Sequence, residues 1–521
     1  MHSIPSVAQM TQTAASLGMH LETDEAELLH GYLALKLEQI DAFVQMRLDE
    51  GAPEVTYAKR APGYRPSAVE DPFNAWMWKC SIEGSGKGLL AGKTVSYKDH
   101  VSVAAMPVAF GAAPLQNLIA NVDATIVTRV LAEGGTIIGK NIMDGLAGGF
   151  GNGPKGDFER VLNPHNPAHY AGGSSAGSAA ALAAGEVDIS FGGDQGGSIR
   201  IPAAMCGVVG LKPTFGLVSH FGLGFGSDQS IDYTGPMART VEDVAAALQA
   251  TAGYDDLDPR QGRKVPESYD ALTQLDGGVA GLRIGILQEG FEGPVEPGVQ
   301  QAVMQAVEVF KKAGAIVSTV SVPQHHLARV AQQAMTPEGN LAMFQVGFMG
   351  AFARTYYPSS IVAAIRRFNQ DHISGATSRT KLALLAGEYS RRNFEGLAYV
   401  KGHNVRKGII AAFDKALTEV DVLIMPTCMQ VAAKFDAPTD RRGIDEVWLN
   451  DAKRITASVV LNTMPTNYTG HPALAVPCGK VNGLPVSMQL VGRFFDDALL
   501  LKAAYAYQKA VDWPATIGIG R

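Results

Sequence analysis

The chain has 521 residues, with 44 Lys plus Arg against 50 Asp plus Glu, a formal charge of −6. Apolar residues make up 46% and charged ones 18%, below the usual quarter or so, which excludes a disordered polyelectrolyte and leaves material for a large core. A mildly acidic chain without Lys/Arg blocks lacks the electrostatic footprint that phosphate binding needs, so nucleic acid is not an expected partner.

The first residues, MHSIPSVAQMTQTAASLGMHL, show no basic start followed by an apolar run, and nowhere do 18 apolar residues come in succession. Neither a signal peptide nor a membrane span is expected. Apolar residues then fall at Leu29, Leu33, Leu37, Ile40, Val44 and Leu48, a spacing that draws a stripe along a helix from Asp24 to Leu48, with Asp24 and Glu27 able to cap its start. The stretch from Gly51 to Pro72 is rich in Pro and Gly, as a connector would be. A boundary is therefore expected near residue 70. Residues 1–70 form an N-terminal helical arm in this reading, either packed on the core or joining two copies into a homodimer.

From residue 71 onward, strand-like runs at Thr94–Tyr97, Thr136–Ile138, Leu282–Ile286 and Val422–Ile424 alternate with helical patterns at Ala124–Ala132, Ala176–Ala184 and Val299–Ala313. This rhythm predicts one large α/β domain over 71–521. Cys80, Cys206, Cys428 and Cys478 lie far apart with no CxxC pair. That spacing argues against a zinc ribbon or disulfide framework and for a reducing, cytoplasmic setting.

Glycine reaches 58 residues, about 11% against a usual ~7%, and clusters between Gly145 and Gly226. Gly151–Gly156 formally matches G-x-G-x-x-G, but Pro154 and the polar residues after it make a poor helix start, so dinucleotide binding is rejected. Gly173–Gly177 formally matches the G-x-S-x-G elbow, yet VLNPHNPAHYAG before it is no buried strand. His165, His169, His325 and His326 have surface or packing roles as the simplest reading, and no H-E-x-x-H pattern supports a metal.

Residues 171–203, AGGSSAGSAAALAAGEVDISFGGDQGGSIRIPA, place two Gly/Ser-rich turns around an apolar piece. Either turn alone reads as an ordinary flexible loop. Together they can bring serines close, and amides from Asp194 to Ser198 can line a concavity for an oxyanion, with Ser198 as nucleophile. A serine needs a base, and no histidine stands in a triad-like setting. Lys98, closing the strand-like KTVSY, can serve if burial lowers its pKa from ~10.4.

With SYKDHVSVAAMPVAFG, the block from Gly172 to Pro202, SIDYTGPMARTVEDVA and GHPALAVPCGKVNGLPVSMQLVG, the chain resembles the amidase signature family of serine hydrolases over residues 75–510. The nearest likeness is to the bacterial amidases found beside nitrile hydratases. The resemblance implies a mixed central β-sheet covered by helices, and a Ser–cis-Ser–Lys triad of Ser198 as nucleophile, Ser174 as bridging serine and Lys98 as base. It further implies an oxyanion hole at Gln195, Gly196 and Gly197, with Asp194 orienting the loop, and an acyl pocket walled in part by Ala147, Gly148 and Gly149. Two positions depart from the family pattern: Ala176 stands for a glycine and His100 for an asparagine. Hydrolysis of a small-molecule amide to the acid and ammonia or amine is the implied activity, with no metal or other cofactor and no membrane or nucleic-acid partner. The alternatives are carbamate or hydrazide hydrolysis, a silent binding module and an amidotransferase subunit.

Overall fold

The computed structural model describes residues 4–57, 59–147, 160–224, 228–347, 353–371, 373–375, 378–434 and 459–518. The chain divides into two compact units, Met1–Ala52 and Pro53–Arg521.

The N-terminal unit contains helices α1 (Val7–Ser16) and α2 (Thr23–Gln45). Ser6 starts α1 with a capping box, its hydroxyl accepting from Gln9 N while the Gln9 side chain accepts from Ser6 N, which satisfies two amides a helix start leaves bare. The expected capping of α2 by Asp24 and Glu27 does not occur. The N-cap residue is Glu22, without a side-chain cap, and Asp24 lies inside the first turn, where it accepts from Glu25 N. Of the expected stripe, Leu33 and Leu37 are half-buried, whereas Leu29, Ile40, Val44 and Leu48 are exposed.

Among the described residues of the larger unit eleven strands form one mixed sheet: β1 (Trp76–Ile82), β2 (Thr94–Lys98), β3 (Thr136–Asn141), β4 (Ile189–Asp194), β5 (Val209–Lys212), β6 (Tyr233–Ala238), β7 (Arg283–Leu287), β8 (Ile316–Val320), β9 (Val422–Pro426), β10 (Ala473–Val481) and β11 (Leu484–Val491). Their spatial order is β1-β3-β2-β4-β6-β5-β10-β11-β9-β7-β8. Strand β2 runs parallel to both β3 and β4, and β7 parallel to β8 and β9, while the strands from β4 through β9 in that order pair antiparallel. Parallel neighbours require crossover helices, which cover the sheet. The fold is α/β with a mixed central sheet.

Among the helices are α3 (Thr125–Ala132), α4 (Ala176–Ala183), α5 (Arg200–Cys206), α6 (Val241–Thr251), α7 (Pro297–Lys312) and α8 (Gln324–Gln345). Helix α7 shows how they pack. Pro297 opens it, Lys311 and Lys312 close it, and Val299, Ala302, Val303, Ala306, Val307 and Phe310 are its buried face. That three-and-four spacing is the one read from the sequence, and each large apolar side chain so buried contributes about 1.5–3 kcal/mol. Helix α4, AGSAAALA, is buried all round. Its small side chains allow close approach: a Cβ on Gly177 would stand 2.4 Å from Ala75 O.

Because β2 and β4 are parallel neighbours in register at Tyr97↔Phe191, their carboxyl ends lie side by side. Lys98 ends the one and Asp194 the other. In open α/β sheets this edge is where ligands bind.

Candidate active site

Lys98 is fully buried at the end of β2. Its Nζ donates to Ser174 Oγ at 2.7 Å and to Gly193 O at 3.4 Å. Burial disfavours the ammonium form and lowers the pKa from 10.5 to about 8, against the opposing fields of Asp232, Asp144 and Asp194. Ser174, also fully buried, follows a cis Gly173–Ser174 peptide and precedes α4. Ser198 is half-buried, two residues before α5. The two serine segments meet through Ser175 N, which donates to Ser198 O at 3.3 Å.

The loop from Asp194 to Ser198 is anchored by its first side chain. Asp194 accepts from Gly197 N at 2.7 Å and Ile199 N at 3.1 Å, and pairs with Arg200 Nε and Nη2 at 3.0 and 2.9 Å. Arg200 turns its remaining donors to Thr466 Oγ1, Gln489 Oε1 and Asn467 Oδ1 at 2.6, 2.8 and 2.7 Å. Charge and hydrogen bonds from Arg200 hold the Asp194 carboxyl at about 2, outweighing its burial. One expected oxyanion donor is thereby engaged: the Gly197 amide is directed at Asp194. The amides of Gln195, Gly196 and Ser198 have no acceptor among the described residues.

Position 100 adjoins this loop. Gly193 sits so close to His100 that a Cβ there would stand 2.8 Å from the imidazole Nε2. Burial, with Lys98, His220 and Lys140 nearby, holds His100 neutral. Gln195 Nε2 donates to Asp232 Oδ1 at 2.5 Å, and Asp232 also faces His220 Nε2 at 3.3 Å.

A family profile described as Amidase matches residues 74–501. The chain belongs to the amidase signature family. It is 36% identical over 450 residues to the enantioselective amidase of Rhodococcus rhodochrous, covering 86% of this chain and 85% of that one. It is also 37% identical over 440 residues to a subunit of the glutamyl-tRNA(Gln) amidotransferase of Chloroflexus aurantiacus, covering 83% and 85% of the two. Among solved structures, the native peptide amidase of Stenotrophomonas maltophilia superposes with a TM-score of 0.66 at 30% identity over 81% of this chain and 83% of that one. This amidase signature hydrolase therefore shares its fold and its family with enzymes of amide chemistry.

Of the residues the sequence singles out, Lys98, Ser174, Asp194, Gln195, Gly196, Gly197 and Ser198 all fall at the carboxyl ends of β2 and β4. The segment before the expected pocket wall joins them, since Asp144 N donates to Ser174 O at 3.2 Å. Ala147 ends a short turn from Gly145 in which Leu146 has φ 51°. Gly148 and Gly149, like Gly151–Gly156, lie outside the described residues. His165 Nε2 contacts Cys206 O, His325 Nε2 contacts Asn462 Oδ1 and His326 Nε2 contacts Glu292 Oε2, all packing or surface roles. Among the described residues no three His, Cys, Asp or Glu are grouped to hold a metal, and no helix is long and apolar enough to cross a membrane.

Sequence reasoning missed Arg200, Asp232, Gln332, Thr463 and Asn467. Arg200 carried one signal, a lone charge inside the apolar IRIPAAM segment. Asp232 joins the site across 37 positions and Gln332, Thr463 and Asn467 across 137 to 273, separations no local pattern encodes.

Proposed function

We propose that this amidase signature hydrolase cleaves carboxylic acid amides to the acid and ammonia or amine through an acyl-enzyme on Ser198. A neutral Lys98 takes a proton by way of Ser174 as Ser198 Oγ bonds to the amide carbonyl carbon. The resulting oxyanion is met by free amides of the Gln195–Ser198 loop. The proton returns through Ser174 to the departing nitrogen as the C–N bond breaks, and water then attacks the ester, releasing the acid and restoring Ser198. The observation that carries this reading is the 2.7 Å contact between a fully buried amine, its pKa lowered to about 8, and the Ser174 hydroxyl. A buried lysine with no carboxylate bonded to it among the described residues is costly unless its neutral form is the one in use.

The test is Ser198→Ala, assayed on acetamide, benzamide, a carbamate and an acyl hydrazide. Loss of at least about 1,000-fold in kcat/KM on the best substrate is expected, and hydrolysis near the original rate overturns the assignment. The same panel decides among amide, carbamate and hydrazide. The amidotransferase reading draws on the Chloroflexus relative, but the charge of −6 opposes a tRNA-linked role. Turnover of simple amides by the chain alone separates the two readings.

We further propose a homodimer joined through the N-terminal unit, supported by the exposed apolar residues of α2, and a cytoplasmic setting, supported by four unpaired cysteines.

A further inference from the structure

The loop from Asp194 to Gly197 contains two adjacent glycines, which on their own leave its peptide planes free to rotate. Three successive carbonyls of this loop are nevertheless held, each by a different side chain from the distant C-terminal half. Asp194 O accepts from Asn467 Nδ2 at 2.8 Å, Gln195 O from Gln332 Nε2 at 2.6 Å, and Gly196 O from Thr463 Oγ1 at 2.6 Å. Gln332 lies on α8, and Thr463 and Asn467 at the start and within the short helix Met464–Thr469. Asn467 and Thr463 are fully buried and Gln332 is 1% exposed, so water does not compete for these bonds.

In a trans peptide the carbonyl of one residue and the N–H of the next point in opposite directions from one rigid plane. Holding the carbonyls of 194, 195 and 196 therefore fixes the directions of the amides of Gln195, Gly196 and Gly197. The last is seen at its target, donating to Asp194 Oδ1 at 2.7 Å on the side away from Thr463. The first two are without an acceptor among the described residues. Gly197 itself has φ 129°, and a Cβ there would stand 2.4 Å from Thr463 Oγ1, so the glycine is what admits the hydroxyl to its place.

We propose that Gln332, Thr463 and Asn467 are positioning residues that clamp the carbonyl side of this loop and so aim the amides of Gln195 and Gly196 at the oxyanion. The clamp rests on the serine-hydrolase reading above. Its effect belongs to the transition state: the amides meet full negative charge only when the carbonyl carbon becomes tetrahedral, and donors aimed beforehand need no reorganisation at that moment. Substrate binding, made elsewhere in the pocket, is little affected.

The experiment compares Thr463→Val, which keeps the shape and removes the hydroxyl, with Thr463→Ser, which keeps the hydroxyl, and adds Gln332→Leu as an independent clamp point. For each, kcat and KM on benzamide, the Ki of phenylboronic acid as a tetrahedral mimic, and the melting temperature are measured beside Ser198→Ala. The expected result is a fall of about tenfold or more in kcat for Thr463→Val and Gln332→Leu, KM within about threefold, a parallel weakening of the boronic acid, and recovery in Thr463→Ser. Unchanged kcat in the folded Val and Leu variants, a loss carried by KM, or a Ser variant as slow as Val overturns the clamp while Ser198→Ala remains dead. Full activity in Ser198→Ala overturns the serine reading and the clamp with it.

Discussion

Between Asp194 and Arg200 the chain buries a carboxylate and a guanidinium side by side, whereas along α2 it leaves Tyr32 and Phe43 66% and 64% exposed. The first region places inside what water would stabilise, and the second places outside what water would reject. In the first, every guanidinium donor of Arg200 has an acceptor within 3.0 Å, so the burial is compensated bond by bond, for a loop whose shape must not vary. In the second, nothing within the N-terminal unit compensates, since Ala26 is the one buried residue described in α2. A buried charge network marks a place where geometry is used, and an uncovered apolar face is the surface on which the proposed dimer would be joined.

The largest effect that separates these regions is expected from Lys98→Met. Methionine fills the buried space without a charge, so the fold should survive with its melting temperature unchanged or raised, while kcat falls by about 10⁴-fold or more. On the proposed mechanism the same residue sets the pH response of the wild type. Its pKa is lowered, and with the neutral amine as the proposed working form activity should rise as pH climbs through about 8 and level above it. Between pH 7 and pH 9, kcat/KM should rise about tenfold with a slope of one proton. A profile flat over that range, or falling, removes Lys98 from the role of base.

Next in size is Arg200→Met, which leaves Asp194 buried without its cation. Breaking one side of a buried pair costs about 3–5 kcal/mol, read as a lower urea midpoint at pH 7. The pH dependence has a fixed sign. In the folded wild type Asp194 sits at about 2, below its ordinary 3.8, so its stabilising contribution is complete above about pH 4 and is lost as pH falls through about 2. In the variant that contribution should be missing at neutral pH as well, making the two unfolding curves converge in acid. A variant as stable as the wild type at pH 7 breaks the argument that the network holds the loop.

How much of this was legible in the sequence depended on how local the causes were. The stripe of α7 and the strand runs at β2, β3, β7 and β9 follow from neighbours three or two positions apart, and the structure places them within a few residues of their expected ends. Strand β4, ISFGGD, was hidden because Gly192 and Gly193 read as turn formers. They are glycines for space, with Ser175 Oγ and His100 Nε2 standing 2.9 and 2.8 Å from where Cβ atoms would be. The capping of α2 differs from the expectation because the helix starts at Thr23, one residue before Asp24, so that Asp24 lies inside the first turn, favoured there by the helix dipole and bonded to the Glu25 amide, and Glu27 lies beyond it. The lysine and serine positions were visible as a pattern; the groups that fix the loop carbonyls are single residues in unremarkable helices, and only folding brings them to it.

The smallest effect on catalysis is expected where the exposed apolar surface is greatest. Replacing both Tyr32 and Phe43 by Ser removes two large apolar side chains that share a face of α2, eleven positions or three turns apart. A specific stable interface buries on the order of 1,200–2,000 Å² in total and concentrates its energy in a few aromatic or arginine anchors. If α2 joins two copies, losing two such anchors converts a dimer to a monomer at micromolar concentration by light scattering. The same change leaves kcat within about twofold, because the site at the ends of β2 and β4 is built by residues from Lys98 onward. A double variant that stays dimeric shows that α2 is not the seam, and a monomeric one with greatly reduced kcat shows that the arm serves the site as well as the assembly. The contrast between the two regions is sharpest if oligomeric state and turnover separate cleanly, since a satisfied interior then performs the chemistry while an unsatisfied exterior performs the assembly.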